Sequence, residues 1–334
     1  MEPKVDWSLG RGGGAALLLL GGLLFTACTN VSPTPPSPKL QISIPAERPT
    51  FSSDSAYELI ARQLAFGPRI PGTASHKRAG DWLVSTLRRW GARLYEHTGV
   101  YKGTPIRNII ASFGPEGGKR VILSAHWDSR PYADRDPSDQ RAPVPGANDG
   151  ASGVAILLEI ARLLAQKPLP YPIDIILWDA EDLGQEGVED SYCLGSQLWL
   201  SEPKPYPIQT YAWGIHLDMV GGRDATFLQE GHSRQYAPLL LEAIWTVAQR
   251  LGHQRYFVSL PGDPIIDDPF YLSARGGIPM VNIIQRDPMG KGFFPEWHTT
   301  RDDLSVIDKA TLQAVGETLV AFLYAASPET FVPK

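Results

Sequence analysis

Ala79, Trp82, Leu83, Thr86, Leu87 and Trp90 recur at helical spacing after the Pro71-Gly72 turn and predict an amphipathic helix with one buried face. Beyond it the period changes. Residues 107–113 and 120–125 read as strands, the second apolar enough to lie centrally in a sheet. Residues 150–164 predict a helix, and 173–178 a buried strand behind a proline stop. A short helix is expected over 194–200. Two further strands, 211–220 and 279–284, flank a helix near 234–251, and an amphipathic helix over 308–325 closes the chain. Apolar strands alternating with helices predict a three-layer α/β/α domain with a mixed, mainly parallel sheet covered on both faces. In such sheets function gathers in the crevice at the carboxyl ends of the strands.

The N-terminus follows another pattern. Lys4 and Arg11 precede an apolar run from Ala15 to Phe25, which ends in Thr26-Ala27-Cys28. The run is too short and Gly-rich to span a bilayer and matches a signal-peptide core. A cysteine directly after small residues resembles the bacterial lipobox, whose cysteine is lipidated after cleavage. Residues 1–28 are thus expected to be an export signal, leaving a periplasmic or cell-surface lipoprotein anchored at Cys28. The Pro- and Ser-rich stretch 29–50 would be its tether, and 51–334 the catalytic domain. Only Cys193 remains beside Cys28, so no intramolecular disulfide is expected.

The chain has 334 residues, 43% of them hydrophobic and 20% charged, which is enough for one large domain with a substantial core. A net charge of -5 without a basic stripe gives no footprint for nucleic acid. Small molecules or peptides are the expected partners, membrane contact should run through Cys28 alone, and a monomer is favoured.

Five polar clusters sit at or just beyond predicted strands. They are His126-Trp127-Asp128, Asn148-Asp149-Gly150, Asp179-Ala180-Glu181-Asp182, His216-Leu217-Asp218 and Glu296-Trp297-His298. His126 can ligate a metal through one ring nitrogen while Asp128 holds the proton of the other. Asp149 also reads as a helix N-cap. Glu181 and Asp182 alternate in direction, so one can bind metal while the other serves as acid or base. Each cluster alone is ambiguous. Unpartnered buried carboxylates are costly, however, and a shared cation explains all five together. A donor set of Asp, Glu and His without Cys suits catalytic zinc with an open position for substrate.

The order His126, Asp149, Glu181-Asp182, Asp218, His298 resembles the zinc aminopeptidase family whose members include the animal-type glutaminyl cyclases. The resemblance covers about residues 51–325. For the two-metal peptidases it implies His126 and Asp218 on one zinc, Asp182 and His298 on the other, Asp149 bridging, and Glu181 as general base. For the cyclases it implies one zinc on Asp149, Asp182 and His298. The segment from His126 to Asp134, the pair Asp267-Asp268 and Trp297 before His298 resemble the cyclase branch. There Asp267 would join the active-site hydrogen-bond network. Trp297 and either Phe293 or Phe294 would wall the pocket, with Tyr192 standing in for a Trp that is absent after Asp182. Pro269 stands where those cyclases usually carry His, and Asp182 replaces the Glu of the animal enzymes.

The resemblance implies a glutaminyl-peptide cyclotransferase: an N-terminal amine attacks its own glutamine side-chain amide and ammonia leaves. Glu181 would move the proton, and Asp218 and Asp267 would hydrogen-bond to each other or to Glu181 while orienting the amine. Two alternatives stay open. An exported aminopeptidase would hold two zincs, and a non-catalytic receptor would have eroded ligand positions. Outside the site, His216 reads as structural; His76, His97, His232 and His253 as solvated; and Cys193 as a packing residue. Asp302-Asp303 would cap the turn into the last helix or steady His298.

Overall fold

The computed structural model describes residues 42–287, 289 and 292–331. The expected export signal, Cys28 and most of the tether lie outside the described residues. Among those described, no helix is long and apolar enough to cross a membrane.

The elements run α1 (Ser53–Leu64), α2 (Ala74–Arg89), β1 (Arg93–Tyr101), β2 (Thr104–Phe113), β3 (Arg120–His126), α3 (Ala151–Gln166), β4 (Ile173–Trp178) and α4 (Leu194–Ser201). The second half adds β5 (Tyr211–Asp218), β6 (Phe227–Gln229), α5 (Gly231–Tyr236), α6 (Pro238–Arg250), β7 (Phe257–Pro261), α7 (Asp268–Ala274), β8 (Met280–Ile284) and α8 (Lys309–Ala325). Six strands form one sheet in the order β1-β2-β4-β3-β5-β8. β1 and β2 pair antiparallel, as do β2 and β4, whereas β4, β3, β5 and β8 run parallel. The expected mixed, mainly parallel sheet is therefore present.

Alternation along the strands sorts the core into two layers. Val121, Leu123, Ile175, Ile215 and Leu217 face the layer that holds α1, α3, α6 and α8. Ile122, Ile176 and Trp178 face the other way, against Trp199 of α4 and Leu272 of α7. Period-two side chains on a doubly covered sheet require this division.

Three expectations shift. The helix near 234–251 is two helices, because Pro238 opens α6 without an N–H to continue α5. The strand expected over 211–220 ends at Asp218, where Met219 turns into the left-handed region at φ 51°. Packing also begins before Phe51: Ile42 is buried, and its carbonyl accepts from Arg250. A Pro-rich stretch has no periodicity to reveal such docking. The edge strand β1 mixes polar residues and Gly99 into its run, and β6 and β7 are too short to show a period in sequence.

Candidate metal centre and active site

The strands β3, β4, β5 and β8 end on one side of the sheet, and their carboxyl ends supply the site. His126 is the last residue of β3 and Asp218 the last of β5, while Asp179–Asp182 follow β4. Gly150 opens α3 at φ 88°, where a Cβ would lie 2.8 Å from the His126 ring. That close approach leaves α3 without a side-chain cap. The Asp149 carboxylate is therefore not an N-cap and is free to face the pocket.

Two groups of donors result. His126 Nε2 lies 3.0 Å from Asp149 Oδ1 and 3.2 Å from Asp218 Oδ1. His298 Nε2 lies 3.3 Å from Asp182 Oδ1 and 3.7 Å from Asp149 Oδ2. In each triad, His126-Asp149-Asp218 and Asp149-Asp182-His298, one donor atom per residue falls within 4.8 Å of the others. Asp149 belongs to both.

These residues fit a divalent cation. Asp182 Oδ2 is buried with no hydrogen-bond partner. Burial lowers the affinity of His298 for a proton, yet Asp182, Asp134 and Asp149 outweigh it and raise its pKa to about 9. Asp218 is pushed up to about 7 by burial, opposed by its His126 bond and helped by Asp149. Carboxylates forced toward protonation mark a pocket with more negative charge than its two imidazoles balance, and a hard cation resolves that imbalance.

Glu181 lies beside the first triad, its Oε2 4.0 Å from His126 Nδ1. Burial, opposed by His126 and reinforced by Asp182, Asp267 and Asp268, raises its pKa well above the ordinary value. Glu181, Cys193 and Asp267 also offer atoms within 4.8 Å of one another, and the Cys193 thiol donates to Glu181 Oε1 at 3.4 Å. Cys193 is fully buried, as a packing residue should be. The expected hydrogen bond from Asp218 to Asp267 or Glu181 is not made among the described residues. Asp218 contacts His126 instead, and Asp267 accepts from Asn282 and from the Asp268 N–H, capping α7. Pro269 fits there because the first turn of a helix needs no N–H from it.

An open pocket of about 320 Å³ lies over these groups, a volume suited to one side chain. Trp297 stacks on His298 at 3.7 Å between ring centroids, and Phe293 leans on Trp297 at 4.5 Å. Tyr192, Ile265 and Ile266 also line the pocket. Phe294 does not line the pocket; it is buried with Met219 and Ile284 underneath. Phe293 is therefore the second wall.

The supporting groups were the least visible in sequence. Asp128 stands 3.4 Å from His126 Nδ1, but its hydrogen bonds go to the backbone N–H groups of Glu181 and Asp182, both at 3.1 Å. Arg130 donates to Asp182 Oδ1 at 3.0 Å and reaches Asp134, whose Oδ1 lies 3.1 Å from His298 Nδ1. Neither Asp302 nor Asp303 touches His298 in the described contacts. Asp302 holds the Asn148-Asp149 backbone, and Asp303 caps a single 3-10 turn. The fully buried Arg69 donates to the carbonyls of Trp127, Pro145 and Gly146. Nothing in the spacing of Arg69 marks it, and the position of Asp302 pointed to His298 or the last helix rather than to Asp149. The dense charge of the segment from Arg130 to Asp136 was the available signal for Arg130 and Asp134.

Of the histidines expected to be solvated, His76 and His97 are buried, whereas His232 and His253 are half-buried. His76 is buried, stacked on Trp127 at 4.0 Å and 2.7 Å from Asp179 Oδ1. His97 is buried beside Asn108, His253 pairs with Glu317 at 3.1 Å, and the His232 ring packs on Phe270. A polar sequence neighbourhood conceals burial whenever the partner comes from a distant element.

A doubly covered mixed sheet with acid–imidazole triads at its strand ends defines a metal-dependent enzyme of the zinc-exopeptidase fold. The chain belongs to peptidase family M28, whose model matches residues 108–323. Among solved structures it is similar to a glutaminyl cyclase from Tannerella forsythia, at 45% identity and a TM-score of 0.80, covering 84% of this chain and all of that one. A Zn-dependent exopeptidase from Parabacteroides distasonis is 47% identical with a TM-score of 0.80, over 83% of this chain and 99% of that one. The glutaminyl-peptide cyclotransferase of Drosophila melanogaster is 29% identical over 73% of each chain. The chain spans less than half the length of another curated relative: the alignment with aminopeptidase YwaD of Bacillus subtilis, at 29% identity, covers 68% of this chain and 46% of that one.

Proposed function

We propose that this chain is a glutaminyl-peptide cyclotransferase, which converts the N-terminal glutamine of peptides and proteins to pyroglutamate and releases ammonia. The observation that carries the reading is Glu181, a half-buried carboxyl of raised pKa lining a side-chain-sized pocket walled by Trp297, Phe293 and Tyr192. The similar glutaminyl cyclases support it. Asp149, Asp182 and His298 would hold one zinc, which supplies Lewis-acid polarisation of the glutamine amide carbonyl.

The protein's own groups do the rest. The aromatic walls fold the glutamine side chain toward its own amine, so the five-membered ring closes from a near-attack geometry. Glu181 takes the proton from the attacking amine and hands it to the departing amide nitrogen, which leaves as ammonia. Asp218 and Asp267, on either side, attract and orient the amine. The lipobox-like Cys28 further supports an exported, lipid-anchored protein acting on extracytoplasmic peptides, with residues 29–41 as part of its tether.

A second reading is favoured by the intact His126-Asp149-Asp218 triad. With two zincs the chain would be an exported aminopeptidase, and Glu181 would take its proton from an attacking water instead. A paired assay on the chain from residue 29 onward separates them. Ammonia release from a glutaminyl dipeptide with about one zinc per chain, lost in Glu181→Gln, is the expected result. Hydrolysis of a leucine anilide with two zincs would overturn it.

A further inference from the structure

Asp267 sits over a row of polar side chains on the sheet. Ser124, His216 and Asn282 occupy adjacent strands in register, β3 to β5 to β8, and share the face covered by α7. Asp267 is the residue that caps α7. Its Oδ2 accepts from Asn282 Nδ2 at 2.7 Å, and its Oδ1 accepts from the Asp268 N–H at 2.5 Å. His216 Nε2 lies 3.4 Å from the same Oδ1, a charge contact short of a hydrogen bond, and has no hydrogen-bond partner although the ring is fully buried. On its far side, His216 Nδ1 lies 2.9 Å from Ser124 Oγ.

These contacts select a tautomer. If Nδ1 carried the proton, the Nε2 lone pair would face a carboxylate oxygen in a buried setting, where like-signed partial charges repel strongly. With the proton on Nε2, the positive end of the ring N–H lies on the side of the Asp267 carboxylate, 3.4 Å from Oδ1. The Ser124 hydroxyl then donates to Nδ1, and Nε2 carries its proton toward the negative charge of Asp267. A buried imidazole held by a hydroxyl behind it and facing a carboxylate in front is a rigid mount.

We propose that His216 is a positioning residue for Asp267: in its Nε2–H tautomer, backed by Ser124, it fixes the carboxylate that faces Glu181. The proposal rests on the cyclotransferase reading, in which Asp267 orients the attacking amine. It explains why a histidine occupies the strand interior two residues before Asp218, where apolar packing against α7 would otherwise serve.

Long-range proton–nitrogen NMR on protein labelled with nitrogen-15 in its histidines, with the His216 signal assigned by its loss in His216→Gln, reads the tautomer directly. The Nε2–H form is expected, and the Nδ1–H form overturns the proposal. In kinetics on a glutaminyl dipeptide, His216→Leu should lower kcat about tenfold with KM, zinc content and melting temperature near wild type. His216→Gln, whose amide N–H can take the Nε2 position, should restore most of that loss. Equal kcat in wild type and His216→Leu sinks the idea. So does a bound metal ion that disappears with His216→Leu, because His216 would then be a ligand. If wild type releases no ammonia the functional reading fails, while the tautomer still decides whether the mount exists.

Discussion

The Asp302 carboxylate accepts the backbone N–H of Asp149 at 3.1 Å and that of its neighbour Asn148 at 2.8 Å, so a fully buried acid far along the chain sets where the shared donor of both triads stands. Burial, with Asp149 adding to it, raises its pKa to about 8. Asp302→Ala removes both acceptors and leaves two buried N–H groups unpaired. Zinc affinity should fall about tenfold or more, as it does when groups that orient ligands are lost. Competition against a chelator measures this; wild-type affinity in the variant would remove Asp302 from the account.

Arg130 joins the two residues that flank His298. One guanidinium nitrogen reaches Asp182 and the others reach Asp134, and Asp134 holds the far nitrogen of the imidazole. Lys cannot make this fork. Arg130→Lys should therefore lower kcat by about tenfold to a hundredfold, and some of the protein should lose zinc on dialysis. Full activity with full zinc would show that the charge alone suffices.

Trp297 has two faces to satisfy, since His298 stacks on it at 3.7 Å and Phe293 leans on it at 4.5 Å. Trp297→Ala should cost kcat/KM roughly tenfold or more, in line with about 1.5 kcal/mol for an aromatic pair beyond its buried area. Much of the change should appear in KM, because the wall binds substrate before the chemistry begins. Trp297→Phe should recover most of it. Steady-state kinetics across the three proteins decides.

His97 predicts a pH effect on stability away from the metal centre. Its pKa is held below the usual value, chiefly by burial. In the unfolded chain it titrates near the ordinary value of about 6.5. Below that pH the unfolded state binds a proton that the folded state refuses, so stability is lost as pH falls toward the folded pKa. Thermal melts between about pH 7.5 and 5 should show a shallower decline for His97→Gln than for wild type. Parallel curves would place the loss on other groups.

Much of the site was legible because its parts are local. The period of 173–178 marks β4, and the acids immediately after it must stand at the carboxyl end of that strand. The same reasoning put His126 and Asp218 at the ends of β3 and β5. The histidines misjudged as solvated failed for the opposite reason: His76 meets Asp179 across 103 positions. The break before Pro238 is encoded by the proline itself, while the apolar stripe of α6 extends the helical period past it.

By itself the sequence determined the strands, their alternating burial and the acids and histidines that follow them, because backbone geometry converts spacing of two or three to four residues directly into a face. Only the tertiary structure decided which of those groups meet. His126 reaches Asp218 across 92 positions, and Asp302 reaches Asp149 across 153. Such pairs depend on strand order and on loops closing over one another, and no local period encodes either. The buried groups that steady the site, Arg69, Arg130 and Asp302, are of this second kind. Each satisfies a polar atom that only the packed fold removes from water.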